Sequence, residues 1–171
     1  LMNAEDTGLL VVDMQERFVG AIPECERLVW NIGRLLRGAA VLGVSAAATE
    51  QYPEKLGPTV ADLAAHLDAP PSKLAFSCGE CGEIFERWRD EDRHRVLLCG
   101  IETHVCVAQT ELDLMAAGFR VYLAVDAIAS RFPVDRDVAL QRMESAGATL
   151  TTVEAALFEW CRVAGTPEFK Q

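Results

Sequence analysis

Short apolar runs alternate with helical spacings along the whole chain. GLLVVD (8–13) is a near-continuous apolar run closed by an acid, the form of a strand buried on both faces. Residues 26–42 set Leu28, Ile32, Leu35, Leu36 and Ala39 on one helical stripe, which Gly43 ends. VSAAAT (44–49) reads as a second strand and 58–67 as a helix opened by Pro58 and Thr59. SKLAFS (72–77) is a short third strand, GEIFERWRDED (82–92) a helix and HRVLLCG (94–100) a fourth strand. A helix over 103–117 stops at Gly118, and FRVYLAVD (119–126) follows as the fifth strand. A helix over 133–147 opened by Pro133, the strand ATLTTV (148–153) and a last helix over 154–165 complete the pattern.

Six strands alternating with helices predict an α/β fold: a three-layer, six-stranded parallel sheet with helices on both faces and right-handed crossovers. No repeat, linker or low-complexity segment interrupts it, so residues 1–171 read as one domain. In open sheets of this type ligands sit beyond the carboxyl ends of the strands, near the point where strand order reverses. Chemically useful residues should therefore fall just after strands.

Composition narrows the function classes. Half of the 171 residues are hydrophobic, enough for a well-buried core. The formal charge of −10 opposes binding to phosphate backbones, and the densest basic stretch, ERWRDEDRHR, interleaves its arginines with acids. Nucleic acid is thus not expected as a partner. No apolar run approaches the roughly 20 residues of a membrane span, and LMNAEDTG lacks the apolar core of a secretion signal. The six cysteines, mostly inside or beside apolar segments, suit free thiols in a reducing, cytoplasmic setting.

Four places pass the strand-end filter. Asp13 closes the first strand, Glu50, Gln51 and Tyr52 follow the second, Lys73 opens the third, and Cys106 follows the fourth. With Thr103 as N-cap, Cys106 would be the third helical residue, where free backbone N–H groups and the helix dipole favour a thiolate. Cys99, inside VLLCG, reads instead as an inert core thiol. Asp13, Lys73 and Cys106 could converge on one cleft.

LLVVDMQERF, TEQYPEKLGPT, SKLAFS, LLCGIETHVCVAQTELDLMAAGFRVYLAVDAIASR and GATLTTVE, in that order, resemble the isochorismatase-like cysteine hydrolase superfamily across nearly the whole chain. GIETHVCV (100–107) is the most specific part. The resemblance implies a catalytic triad of Asp13, Lys73 and Cys106. It further implies an oxyanion hole from the backbone N–H groups of Glu102 and Cys106, a cis peptide between Ile101 and Glu102, and a homo-oligomer. Leu157, Phe158 and Trp160 of the last helix could supply part of a subunit contact or pack in the core.

Metal-dependent relatives carry an Asp and several histidines after the first two strands. The three histidines, His66, His94 and His104, lie elsewhere, so no metal or other cofactor is expected. A retained cysteine favours a small amide-type substrate, and Phe18, Gln51, Tyr52 and Phe76 are candidate pocket residues for a flat, largely uncharged molecule. His104, across the turn from Cys106, suits a supporting or interface role, and Asp126 and Arg131 suit loop hydrogen bonds or an ion pair. Two other readings stay open. Cys78 and Cys81 form a C-x-x-C at a helix start, as in a dithiol oxidoreductase, or the fold serves a non-catalytic oligomer.

Overall fold

The computed structural model describes residues 1–171. Six parallel strands form one sheet in the order β3-β2-β1-β4-β5-β6: β1 (Thr7–Val12), β2 (Ser45–Gln51), β3 (Ser72–Lys73), β4 (Arg95–Ile101), β5 (Arg120–Ala129) and β6 (Thr149–Thr151). The helices are α1 (Glu16–Val19), α2 (Cys25–Leu42), α3 (Pro53–Leu56), α4 (Ala61–Ala64), α5 (Gly82–Asp90), α6 (Ala108–Ala116), α7 (Pro133–Ala146) and α8 (Val153–Cys161). This is the three-layer α/β architecture. No helix is long and apolar enough to cross a membrane.

The alternation of each buried strand divides the interior in two. Leu9 and Val11 of β1, with Leu97 and Cys99 of β4, face the stripe of α2 and Ala156 and Trp160 of α8. Leu10, Val12, Val96 and Leu98 face α5, α6 and α7 through Phe85, Trp88, Leu114 and Met143. A strand pair buried on both faces needs apolar residues at every position, which is why β1 and β4 read as unbroken runs. Trp88 seals the second layer: its Nε1 donates to Ser45 Oγ at 3.0 Å, and its ring lies where a β-carbon on Gly8 would stand.

Several elements differ from the sequence expectation. The helix expected over 58–67 contracts to the single turn α4, because Gln15 pairs with Thr59 in an isolated antiparallel bridge. The third strand pairs only at Ser72 and Lys73, since the amides of Leu74 and Ala75 are taken by Glu80. The fifth strand runs on to Ala129 past a break in register, with Leu98 opposite Leu123 but Gly100 opposite Ile128. The helix expected from Thr103 begins as a wide π-turn, Thr103–Val107, and becomes α-helical only at Ala108.

Candidate active site

Strand order reverses between β1 and β4, and the ends of these two central strands carry Asp13 and the turn that holds Cys106. Gly100 lets them approach: at φ +116°, a β-carbon there would lie 2.2 Å from the carbonyl oxygen of Val12. The next peptide, Ile101–Glu102, is cis. The carbonyl of Glu102 then accepts from the amides of Val105 and Val107 at 3.1 and 3.2 Å, winding the turn around Cys106.

Asp13 sits in the left-handed region at φ +51°, with its N–H donating to the Thr49 carbonyl at 3.2 Å and its carbonyl accepting from Gln15 N at 2.8 Å. At the end of this central strand its side chain is fully buried. Oδ1 accepts from Thr49 Oγ1 at 2.8 Å and Oδ2 from Lys73 Nζ at 2.8 Å. Burial pulls the Asp13 pKa above the usual carboxylate value, against the Lys73 charge and hydrogen bonds from Lys73, Cys106 and Thr49. A carboxylate so placed is a stronger base than one in water.

Lys73 is held from all sides. Besides Asp13 it donates to Gln51 Oε1 at 2.7 Å, Phe76 O at 2.9 Å and Ala75 O at 3.3 Å. Burial disfavours its charge, but the Asp13 carboxylate foremost, by charge and by hydrogen bond, outweighs that and holds its pKa above the ordinary lysine value. An ammonium with three protons and four acceptors has none free for another partner.

Cys106 is buried beside this pair. Its thiol pKa is raised, by burial first and then by the Asp13 carboxylate, with Lys73 pulling the other way. The expectation of a thiolate favoured by a helix N-terminus is corrected on two counts. The cap position belongs to Glu102, with Thr103 inside the turn, and burial together with Asp13 outweighs Lys73. The resting sulfur is a thiol with the Asp13 carboxylate alongside.

The remaining candidates separate. Gln51 is part of the cluster: its Oε1 takes Lys73 while its Nε2 donates to Leu74 O at 2.9 Å. Glu50 faces away and accepts from Thr59 N and Oγ1. Phe18 packs against the core on the α2 side, whereas Tyr52 and Phe76 are 43% and 52% exposed. An enclosed aromatic-walled pocket is therefore not what these rings form. His104 turns from the sulfur, with Nδ1 3.0 Å from Ser130 Oγ. Asp126 Oδ1 accepts from Val153 N at the start of α8. Arg131 donates through its backbone N and Nε to the buried Glu102 carboxylate at 2.9 and 3.0 Å. Burial would raise the Glu102 pKa, but these bonds and the Arg131 charge hold it below the usual value.

Cys78 and Cys81 are free, buried thiols, pushed up to about 12 and about 11, in both cases first by burial. A redox dithiol needs the opposite, an exposed sulfur of lowered pKa. No three His, Cys, Asp or Glu side chains come together as a metal would require. In the last helix Trp160 is a core residue while Phe158 is 57% exposed.

Sequence reasoning passed over two residues that shape the cluster. Gln15 is fully buried and grips the strand beside Lys73: Oε1 accepts from Gln51 N at 2.8 Å, and Nε2 donates to Gln51 O and Gly57 O at 3.0 and 2.7 Å. Thr49 is the second. A polar residue two places beyond Asp13, and one ending an apolar strand, were the available signals.

Residues 7–155 match the family model described as the isochorismatase domain. The chain belongs to the isochorismatase domain family. It is 42% identical over 167 residues to mouse isochorismatase domain-containing protein 2A, covering 98% of this chain and 81% of that one. The solved structure of the MAR1 ribonuclease from Caenorhabditis elegans superposes with a TM-score of 0.90 at 38% identity, covering 99% of this chain and 88% of that one. A cysteine hydrolase from Pseudomonas syringae pv. phaseolicola gives a TM-score of 0.81 at 22% identity, over 92% and 93% of the two chains, a likeness of fold. Isochorismatase-like hydrolases are thus the structural neighbours of this isochorismatase domain.

Proposed function

We propose that this protein is a metal-independent cysteine hydrolase that cleaves a small, uncharged amide. The observation that carries the reading is the buried contact of Asp13 with Lys73 at 2.8 Å, directly beside the Cys106 thiol. Asp13, raised in basicity by burial, takes the thiol proton as the sulfur attacks the carbonyl carbon and the C–S bond forms. The oxyanion collapses, the C–N bond breaks, and Asp13 passes its proton to the leaving amine. Water then attacks the thioester, gives a proton to Asp13 and releases the acid, and that proton returns to sulfur. The backbone N–H groups of Glu102 and Cys106 are the proposed oxyanion donors, each of a kind typically worth about 3 kcal/mol of barrier.

Lys73 serves by charge. Its protons are committed to Asp13, Gln51 and two carbonyls, so it keeps Asp13 in place and balances it. With Lys73 matched by Asp13 and Glu102 by Arg131, the cluster carries little net charge, which suits a neutral substrate. Self-association belongs to the same reading, with the exposed Phe158 as one contact.

The C. elegans relative is described as a ribonuclease, which makes RNA cleavage the second reading. The charge of −10 opposes it, and so does a lysine with no proton left for a phosphate. One experiment separates the two. The protein is mixed with a panel of small neutral amides, quenched in acid within milliseconds to seconds, and read by peptide mass spectrometry, with single-stranded RNA assayed in parallel. An acyl group on Cys106 with matching amine release is the expected result. RNA cleavage that survives Cys106→Ala, with no acyl adduct, would overturn it.

A further inference from the structure

One buried group beside the base takes no part in the hydrolysis steps, the thiol of Cys78. Its sulfur lies 3.3 Å from Thr49 Oγ1, and the same hydroxyl lies 2.8 Å from Asp13 Oδ1. Cys78, Thr49 and Asp13 are all fully buried. The backbone N–H of Cys78 donates to Thr110 Oγ1 at 2.8 Å, and Thr110 is four residues beyond Cys106, one turn along the same helix.

Proton counting fixes the direction of these bonds. An ionised carboxylate can only accept, so the single Thr49 proton points to Asp13. Thr49 Oγ1 is then an acceptor towards Cys78, and the thiol is the donor. A hydroxyl that receives one hydrogen bond while giving another has its proton direction set, and such chains polarise one another in a dry interior. We propose that Cys78 is a positioning residue of the hydrolase site: anchored to the Cys106 helix through Thr110, its thiol orients the Thr49 hydroxyl onto Asp13 Oδ1. Lys73 and Thr49 thereby take one carboxylate oxygen each, which fixes the plane of the base. The cysteine of the C-x-x-C acts by its proton and place, with no change of redox state.

This inference rests on the hydrolase reading, and the test keeps the two apart. Alkylation of Cys106 by iodoacetamide is followed from pH 4 to 11, at low conversion, by peptide mass spectrometry. The expected profile has an acid-side step as Asp13 ionises and an alkaline step as the thiol does. Thr49→Val removes a donor to the charged carboxylate, so the acid-side step moves up by about one pH unit. Cys78→Ala moves it the same way by about half a unit, and Cys78→Ser, which restores a donor, brings it back towards the parent. Adding Cys78→Ala to Thr49→Val produces no further shift, because the thiol acts only through the hydroxyl.

A Cys78→Ala profile superimposed on the parent, or a shift fully additive with Thr49→Val, overturns the proposal while leaving the hydrolase reading intact. An acid-side step that persists in Asp13→Asn overturns the hydrolase reading itself. Should Thr49→Val not fold by circular dichroism, the difference between Cys78→Ala and Cys78→Ser decides alone.

Discussion

Lys73 Nζ lies 2.8 Å from Asp13 Oδ2, with both side chains sealed from solvent. Burial raises the cost of each charge, and the mutual attraction together with the other acceptors around Lys73 offsets it. The two residues come from opposite neighbours of β2, so the pair also ties the sheet edge to its centre. Removing one partner is costlier than removing both. Lys73→Ala is expected to lower unfolding free energy by about 3 to 5 kcal/mol, because it strands a buried carboxylate. Asp13→Asn with Lys73→Met should recover most of that loss while remaining inactive. Urea denaturation of the single and double variants at pH 7 checks this, and a double variant as unstable as Lys73→Ala would refute it.

The raised pKa of the Cys106 thiol bears on how the sulfur reacts. A group whose pKa is lifted by burial and a nearby carboxylate is a thiol at neutral pH, so ultraviolet thiolate absorbance should show no Cys106 contribution at pH 7. Asp13→Asn removes that carboxylate, and with it one of the upward pulls. Its thiol should ionise at lower pH than the parent, yet react more slowly with amides, because the base is gone. Absorbance at 240 nm against pH, compared with Cys106→Ala, separates ionisation from reactivity. Faster amide turnover by Asp13→Asn would sink the general-base role.

Asp13 was legible because it closes an apolar strand, and the carboxyl ends of parallel strands share one edge. The GIETHVCV segment carried Cys106 for the same reason. Lys73 read as opening a strand, whereas it ends β3, level with Gln51 at the end of β2. What escaped was set by tertiary contacts. Leu74–Phe76 look like strand, yet the amides of Leu74 and Ala75 go to Glu80, and the three carbonyls accept from the Gln51 and Lys73 side chains, partners that a hydrophobic pattern does not reveal. The π-turn at Thr103–Val107 has the same hydrophobic spacing as an α-helix over so few residues. Gln15 and Thr49 are polar and buried, and no periodicity distinguishes them from solvated strand ends.

Two glycines with positive φ separate conformational cost from close approach. At Gly118, φ +90°, nothing stands within 4 Å of an added β-carbon. Gly118→Ala should therefore cost only about 1 kcal/mol, the usual penalty of a left-handed alanine. At Gly100, φ +116°, that carbon would meet Val12 O, N and C at 2.2, 2.7 and 2.9 Å, all backbone of the neighbouring strand. Gly100→Ala must part the two central strands just where Asp13 and the Cys106 turn emerge, and a loss above about 4 kcal/mol is expected. Thermal unfolding of both variants is the measurement, and similar melting temperatures would show that β1 and β4 are not in this contact.

Glu111 carries the clearest pH signature outside the candidate site. It lies on α6, fully buried, and neither carboxylate oxygen has a hydrogen-bond partner. Burial raises its pKa from 4.5 to about 7. The folded state therefore binds this proton more tightly than the unfolded chain does. The associated stability is full below pH 4.5 and is lost as pH rises through 7, the reverse of a salt-bridged carboxylate. At about 1.4 kcal/mol per pKa unit, with allowance for relaxation around the charge, the loss by pH 8 is about 2 kcal/mol. Glu111→Gln removes the titration at nearly constant shape. It should match the parent at pH 5 and melt about 5 °C higher at pH 8, the scale expected for a chain of this size. Melting curves at the two pH values are sufficient, and a parent whose stability is flat between them would mean that Glu111 is solvated in the native protein.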